Sequence, residues 1–218
     1  MYKLAIFDFD GTLVDSATGI VDVMKDVVEE YNLTEELLVQ WSHLIGVPLL
    51  RQMEILFPDK SADFHEEVVA RYRDIYDTKV IEICPLFPDL EDMLIKLHKQ
   101  EILMTIASSK RRNLVDAVLV HHNLDKYFRM VVGAQDVSNH KPHPESVHVT
   151  IENLGVAPGN VVVVGDSTFD LDMARNAGVD AIGVTTGIHT KELLQKSSPR
   201  HVVGGLSEVL PLILNGRK

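Results

Sequence analysis

The sequence predicts an α/β protein built on a doubly wound parallel sheet, with a helical segment inserted directly after the first strand. Three observations carry this expectation. Short apolar runs rich in β-branched residues recur at 4–9, 102–107 and 161–164, with weaker ones at 130–132 and 181–184. Their apolarity is continuous rather than alternating, as in strands covered on both faces. Helical patterns separate these runs from about residue 84 onward, whereas 15–82 contains helical patterns and no strand.

Taken in order, the first strand covers Leu4 to Phe9. Helical stretches follow at 20–31, 35–44, 49–57 and 64–78, punctuated by Pro48 and Pro58, with Gly46 marking a loop before Pro48 starts a helix. Pro85 and Pro88 mark the return to alternating strand and helix. Leu90, Met93, Leu94 and Leu97 form one apolar stripe before the second strand, and Leu114, Val115, Val118 and Leu119 form another after it. Val147, Ile151 and Leu154 precede the Val161 strand, and a helix over 173–177 follows it, stopped at Gly178. The expected division is therefore an α/β core of residues 1–14 and 83–218 and a helical unit of residues 15–82.

Composition narrows the function. The 218 residues are 45% hydrophobic and 24% charged, the balance of a chain with a real core. One cysteine, Cys84, excludes an internal disulfide and fits a reducing compartment. No apolar run approaches the roughly 20 residues of a membrane span. The apolar stretch after Met1-Tyr2-Lys3 ends at Asp8, too soon for a signal peptide, so a cytoplasmic location is expected. A net charge of −11 argues against nucleic acid or an anionic membrane as a partner. It is unevenly placed: residues 15–82 hold 15 Asp and Glu against 6 Lys and Arg, leaving the rest of the chain at only −2. The acidity therefore says little about a small anionic ligand at the core.

Four groups of residues can carry chemistry. Asp8 and Asp10 stand at the end of the first strand in Phe7-Asp8-Phe9-Asp10-Gly11-Thr12, where open α/β sheets place their sites. Residues two apart on a strand project together, and paired carboxylates there need a cation or a proton. Asp166 and Asp170 form a second acidic pair after the Val161 strand, one helical turn apart. Helix capping by Asp166 and Ser167 would account for one acid and not the second. Oxygen ligands gathered at strand ends suit Mg²⁺. Ser108 and Ser109 sit where a strand meets a helix start, a ready anion site. Lys141 lies in His140-Lys141-Pro142-His143-Pro144, where the prolines can fix one positive charge.

Together these motifs resemble the haloacid dehalogenase-like hydrolases, in order over nearly the whole chain: Asp8-Phe-Asp10-Gly-Thr, Ser108, Lys141, and Gly165-Asp166-Ser167-x-x-Asp170. The continuation Leu13-Val14-Asp15-Ser16, the helical insertion and the stretch Tyr72 to Tyr76 resemble its phosphoglycolate phosphatase-like branch, with a small helical cap. The resemblance implies a Rossmann-like core and a Mg²⁺-dependent phosphatase acting on a small phosphorylated metabolite, phosphoglycolate first. It implies Asp8 as nucleophile and Asp10 as acid and base. It assigns Gly11, Ser108, Ser109 and Lys141 to the phosphoryl group, and Asp8, the Asp10 carbonyl, Asp166 and Asp170 to the metal. An inorganic pyrophosphatase, a sugar-phosphate phosphatase, a β-phosphoglucomutase-like phosphomutase and a catalytically silent binding protein are the alternatives. Asp10 sets the chain apart from dehalogenases and phosphonate-cleaving relatives, which lack that acid. No Gly-x-x-x-x-Gly-Lys-[Ser/Thr] loop is present, which excludes a P-loop hydrolase.

Specificity is expected from the helical unit. Gly46-Val47-Pro48 resembles the cap loop facing the core site. Arg51, one turn on, is a candidate for a substrate carboxylate or second phosphate, or else an exposed arginine on an amphipathic helix. His43 is a further candidate. Arg71 and Arg73 are expected to pair with acids along their own helix. Trp41 and Met53 are expected in the core of the helical unit, and Cys84 in a structural role.

Overall fold

The computed structural model describes residues 1–216. The last two residues of the expected core segment 83–218 lie outside that range. Six strands form one parallel sheet: β1 (Leu4–Phe7), β2 (Leu103–Ala107), β3 (Met130–Val132), β4 (Val161–Gly165), β5 (Asp180–Val184) and β6 (His201–Val203). Their order is β3-β2-β1-β4-β5-β6. β1 is central, with Leu4 opposite both Leu103 and Val161. This is the expected α/β doubly wound sheet, and the position between β1 and β4 is where the strand order reverses.

Alternation along each strand sorts the core into two layers. Ala5, Phe7, Val162 and Val164 face one cluster, and Leu4, Ile6, Val161 and Val163 the other. Both faces are covered by helices, which explains the unbroken apolarity of these runs. The helices are α1 (Ala17–Glu30), α2 (Glu35–Ser42), α3 (Leu49–Leu56), α4 (Ala62–Ile83), α5 (Leu90–Lys99), α6 (Arg112–His121), α7 (Glu145–Leu154), α8 (Thr168–Asn176), α9 (Lys191–Lys196) and α10 (Leu206–Asn215). No helix among the described residues is long and apolar enough to cross a membrane.

Between β1 and α5 the chain builds α1 to α4, which pack on one another. Trp41 and Met53 are fully buried there, as expected. The Trp41 indole N–H donates to Gln52 Oε1 at 2.6 Å, and Gln52 Nε2 donates to the Val47 carbonyl at 2.7 Å. α2 and α4 start on hydroxyl caps, Thr34 and Ser61, each accepting from a backbone N–H three residues on. α4 runs to Ile83, beyond the expected end at 78, because Val80 and Ile83 continue its buried stripe. The two chain crossings into this helical layer lie side by side. Asp15 N–H donates to the Pro85 carbonyl at 2.8 Å, Phe87 N–H to the Leu13 carbonyl at 3.2 Å, and Val14 bridges Leu86.

Two strand expectations are corrected. β1 ends at Phe7, so Asp8 and Asp10 are not successive positions on a strand. Asp10 instead sits in a tight turn where the Leu13 and Val14 N–H groups both donate to the Phe9 carbonyl. β6 was not anticipated: three residues at the sheet edge give too short a pattern to read.

Candidate active site

The site forms at the carboxyl ends of β1 and β4, at the reversal of strand order. Asp8 follows β1 directly and is locked to the neighbouring strand, its N–H donating to the Val164 carbonyl at 2.8 Å. Asp166 follows β4. It accepts from Thr12 Oγ1 at 3.3 Å and from the Ile188 N–H at 3.0 Å. Lys141 arrives from the loop before α7, where its peptide bond to Pro142 is cis. Its side chain is only 7% exposed. Its Nζ donates at 2.6 Å to both Asp8 Oδ1 and Asp170 Oδ1. Asp170 is held from its other oxygen, where Oδ2 accepts from Ser167 N–H at 3.2 Å and Ser167 Oγ at 2.5 Å. Ser167 and Asp170 thus form the capping box that starts α8. Capping accounts for the position of Asp170 after all, and the same geometry leaves its Oδ1 on Lys141.

The donor set of this cluster fits a divalent cation. Asp8, Asp166 and Asp170 are buried and offer oxygens all within 4.8 Å of one another. Three ionised carboxylates against one ammonium would carry an excess of two negative charges, which a divalent cation would balance. The electrostatics carry the mark of that excess. Burial pushes the Asp8 carboxyl well above the usual range; Lys141 pulls it back, and Asp170 and Asp166 push it further up. Burial and then the charge of Asp170 push Asp166 up to about 7, against the opposing pull of the Ile188 N–H and Lys141. For Lys141, burial alone would favour the neutral amine. The carboxylates of Asp170 and Asp8 outweigh it and hold the ammonium charged. Hard oxygen donors in this number suit Mg²⁺.

Asp10 points to a second cation. Its Oδ1 accepts from Ser16 Oγ at 2.6 Å and from Lys110 Nζ at 2.5 Å. Asp8, Asp10, Ser108, Ser109, Lys141, Asp166 and Asp170 all line one cavity of about 420 Å³, which also reaches Gly46 on the helical layer. The Ser108 hydroxyl accepts from the Lys110 N–H at 3.1 Å, and its own proton has no acceptor among the described residues.

Gly11, Arg51 and His43 do not line this cavity, and Ser109 lines it with its hydroxyl already engaged. The Gly11 N–H is engaged by the Val14 carbonyl at 2.9 Å. Gly11 is there because the turn needs φ +72° and because a Cβ would press on the Asp166 carboxylate. Ser109 does line the cavity, but its hydroxyl donates to the Gly46 carbonyl at 3.0 Å, joining the core loop to the helical layer. Arg51 is 64% exposed and pairs with Glu54 at 2.7 Å, outside the cavity. His43 lines a separate cleft with His189. Arg71 reaches across to Glu30 on α1 rather than along its own helix, and Arg73 opens onto the cavity.

Residues beyond the motifs complete the site. Lys110, Tyr76, Arg111 and the Thr186-Gly187-Ile188 loop all bear on it. Gly187 passes so close to Asp166 that any side chain would overlap its carboxylate. Its only trace in the sequence is a glycine just beyond a strand end, the place where open sheets carry ligands.

A model of the family described as haloacid dehalogenase-like hydrolase matches residues 5–184. The curated protein named "Probable phosphatase IndB" of Dickeya dadantii is 35% identical over 213 residues, covering 96% of this chain and 93% of that protein. The phosphoglycolate phosphatase of Escherichia coli is 30% identical over 229 residues, covering 95% of this chain and 90% of its own. A crystal structure from Bacteroides fragilis, described as a haloacid dehalogenase-like hydrolase, superposes with a TM-score of 0.90 at 33% identity, covering 96% of this chain and 100% of that one.

Proposed function

The chain belongs to the haloacid dehalogenase-like hydrolase family, and from that premise we propose that it is a Mg²⁺-dependent phosphatase of a small phosphorylated metabolite, working through a phosphoryl group carried on Asp8. The observation that carries this reading is the buried Lys141 ammonium bridging Asp8 and Asp170 beside Asp166, within a cavity that Asp10 and Ser108 also line. In the first step an Asp8 carboxylate oxygen bonds to phosphorus, the bond from phosphorus to the leaving oxygen breaks, and Asp10 gives that oxygen its proton. In the second, a water oxygen bonds to phosphorus, Asp10 takes the water's proton, and the bond to Asp8 breaks to release inorganic phosphate. Lys141 and the Ser108 hydroxyl hold the phosphoryl oxygens. Bound by Asp8, the Asp10 carbonyl and Asp166, Mg²⁺ would neutralise charge on the transferred group. Asp170 acts through Lys141, which it keeps charged and in place.

Residues 15–82 act in this reading as a cap, closing water out of the site through the contact of Gly46 with Ser109. Much of the cavity wall is apolar, with Ile20, Met24, Ile45 and Leu49 contributing, and Arg73 supplies a cation. Such a wall suits an organic leaving group better than pyrophosphate. Phosphoglycolate is the first ester to assay, with Arg73 in place of Arg51 to meet its carboxylate.

The test is phosphate release from a panel of phosphoglycolate, sugar phosphates and pyrophosphate, with Mg²⁺ and with a chelator. Turnover of an organic ester is expected, lost with the chelator and restored by Mg²⁺, and lost in Asp8→Asn. Activity that survives Asp8→Asn on every substrate removes the nucleophile assignment. Interconversion of sugar phosphates without net phosphate release replaces the hydrolase with a mutase.

A further inference from the structure

Lys110 is a buried ammonium that the reaction above does not use. Its side chain is 6% exposed. Its Nζ donates to Asp10 Oδ1 and to the Tyr76 hydroxyl oxygen, each at 2.5 Å, and lies 3.8 Å from Cys84 Sγ. It also stands over the rings of Tyr76 and Phe9, 4.8 and 5.6 Å from their centroids. A charge out of water persists only where partners replace its hydration, and here a carboxylate, a phenol oxygen and two ring faces do so.

The pattern at Asp10 is one-sided. Lys110 and Ser16 both donate to Oδ1, and Oδ2 receives no hydrogen bond among the described residues. Two donors on one oxygen fix the rotation of the carboxyl group. A carboxyl held in this way carries its proton on the other oxygen, and Asp10 lines the cavity where a leaving oxygen must lie. Lys110 is in turn fixed from the helical layer. Tyr76 belongs to α4 and stacks on Tyr72 at 5.6 Å, and Arg111, the neighbour of Lys110, pairs with Asp77, the neighbour of Tyr76. Two successive cations of the loop after β2 thus grip two successive residues of α4.

We propose that Lys110 is a positioning residue for Asp10: it holds Oδ1 so that Oδ2 presents the proton to the leaving oxygen, and α4 sets that hold through Tyr76. The proposal rests on the reading of Asp10 as the acid and base. Lys110 gives up no proton. The Oδ2 proton passes to the leaving oxygen as its bond to phosphorus breaks, and water returns one to Oδ2 in the second step.

The leaving group supplies the test. An alkyl phosphate needs its leaving oxygen protonated, whereas p-nitrophenyl phosphate departs as a stabilised phenolate. The quantity to compare is kcat/KM, which covers the steps through departure of the leaving group. Lys110→Met and Asp10→Asn are each expected to lose about 10²-fold or more on the alkyl ester, the usual worth of a general acid. Both should lose at least about tenfold less on p-nitrophenyl phosphate, with the deficit of Lys110→Met carried by kcat rather than KM. If Asp10→Asn shows this dependence and Lys110→Met loses equally on both esters, or on neither, the proposal fails alone. If Asp10→Asn shows no dependence, the reading of Asp10 fails and takes the proposal with it. Tyr76→Phe keeps the ring packing and covers the case in which Lys110→Met does not fold. It should show the same dependence to a smaller degree, and equal losses on both esters or none would overturn the link to α4.

Discussion

Lys141 joins two of the three clustered carboxylates. Its ammonium is the one positive charge among three buried carboxylates, and Asp8 and Asp170 each bind it at 2.6 Å. Removing one partner of such a group leaves uncompensated charge behind, at roughly 3–5 kcal/mol. Lys141→Met is therefore expected to destabilise the metal-free protein by about that much in urea titration. It should also lower kcat by about 10²–10³-fold, the typical loss of one charged donor to a transferring group. A loss below tenfold would show that Lys141 organises the carboxylates without touching the phosphoryl group. This residue was legible in the sequence because two prolines, Pro142 and Pro144, follow it closely. Lys110 was not, since nothing around Ser108-Ser109-Lys110 distinguishes a buried lysine from a solvated one. What buries it is Tyr76, 34 residues away, and that is a tertiary fact.

At the scale of elements, five of the six strands and the four helices after β1 could be read from apolar pattern and proline punctuation. The links between the helical layer and the core could not. One runs through Gln52, which ties the Trp41 indole to the Val47 carbonyl and so holds the loop whose Gly46 carbonyl receives Ser109. A buried glutamine in an apolar stripe looks from sequence like an exposed one. Gln52→Ala leaves a buried N–H and a carbonyl unpaired, about 1–3 kcal/mol each. Its expected effect is a lower midpoint of unfolding together with a raised KM, the latter read by steady-state kinetics on whichever ester proves best. An unchanged KM would detach this loop from substrate binding. Arg51 lies away from the cavity for a related reason. Helical spacing places it one turn from Gly46, but Glu54 at i+3 holds it outward.

For the molecule as a whole, the carboxylate cluster links metal, proton and stability. Asp166 is pushed up to about 7 by burial and by Asp170, above its value near 3.8 in an unfolded chain. The folded metal-free protein therefore binds more protons than the unfolded one between these values. By linkage, this group's contribution to stability falls as pH rises from about 4 to about 7. On the proposed reading Mg²⁺ would compete with those protons, so its stabilising effect should grow over the same range. Thermal unfolding at pH 5.5 and pH 8, with and without Mg²⁺, is expected to show a larger rise in Tm at pH 8. Asp166→Asn should reduce the difference, with Asp8, also pushed up, carrying the remainder. Equal rises at both pH values would mean that Asp166 does not take up the cation.

The central claim is that Asp8 carries the phosphoryl group, and mass spectrometry of acid-quenched enzyme tests it most directly. Enzyme mixed with excess substrate and Mg²⁺, quenched within one turnover and digested under acid, is predicted to yield the peptide containing Asp8 heavier by one phosphoryl group. Asp8→Asn should yield the unmodified peptide alone. Turnover of the same substrate with no such adduct at any quench time, or an adduct on a peptide lacking Asp8, would contradict the account.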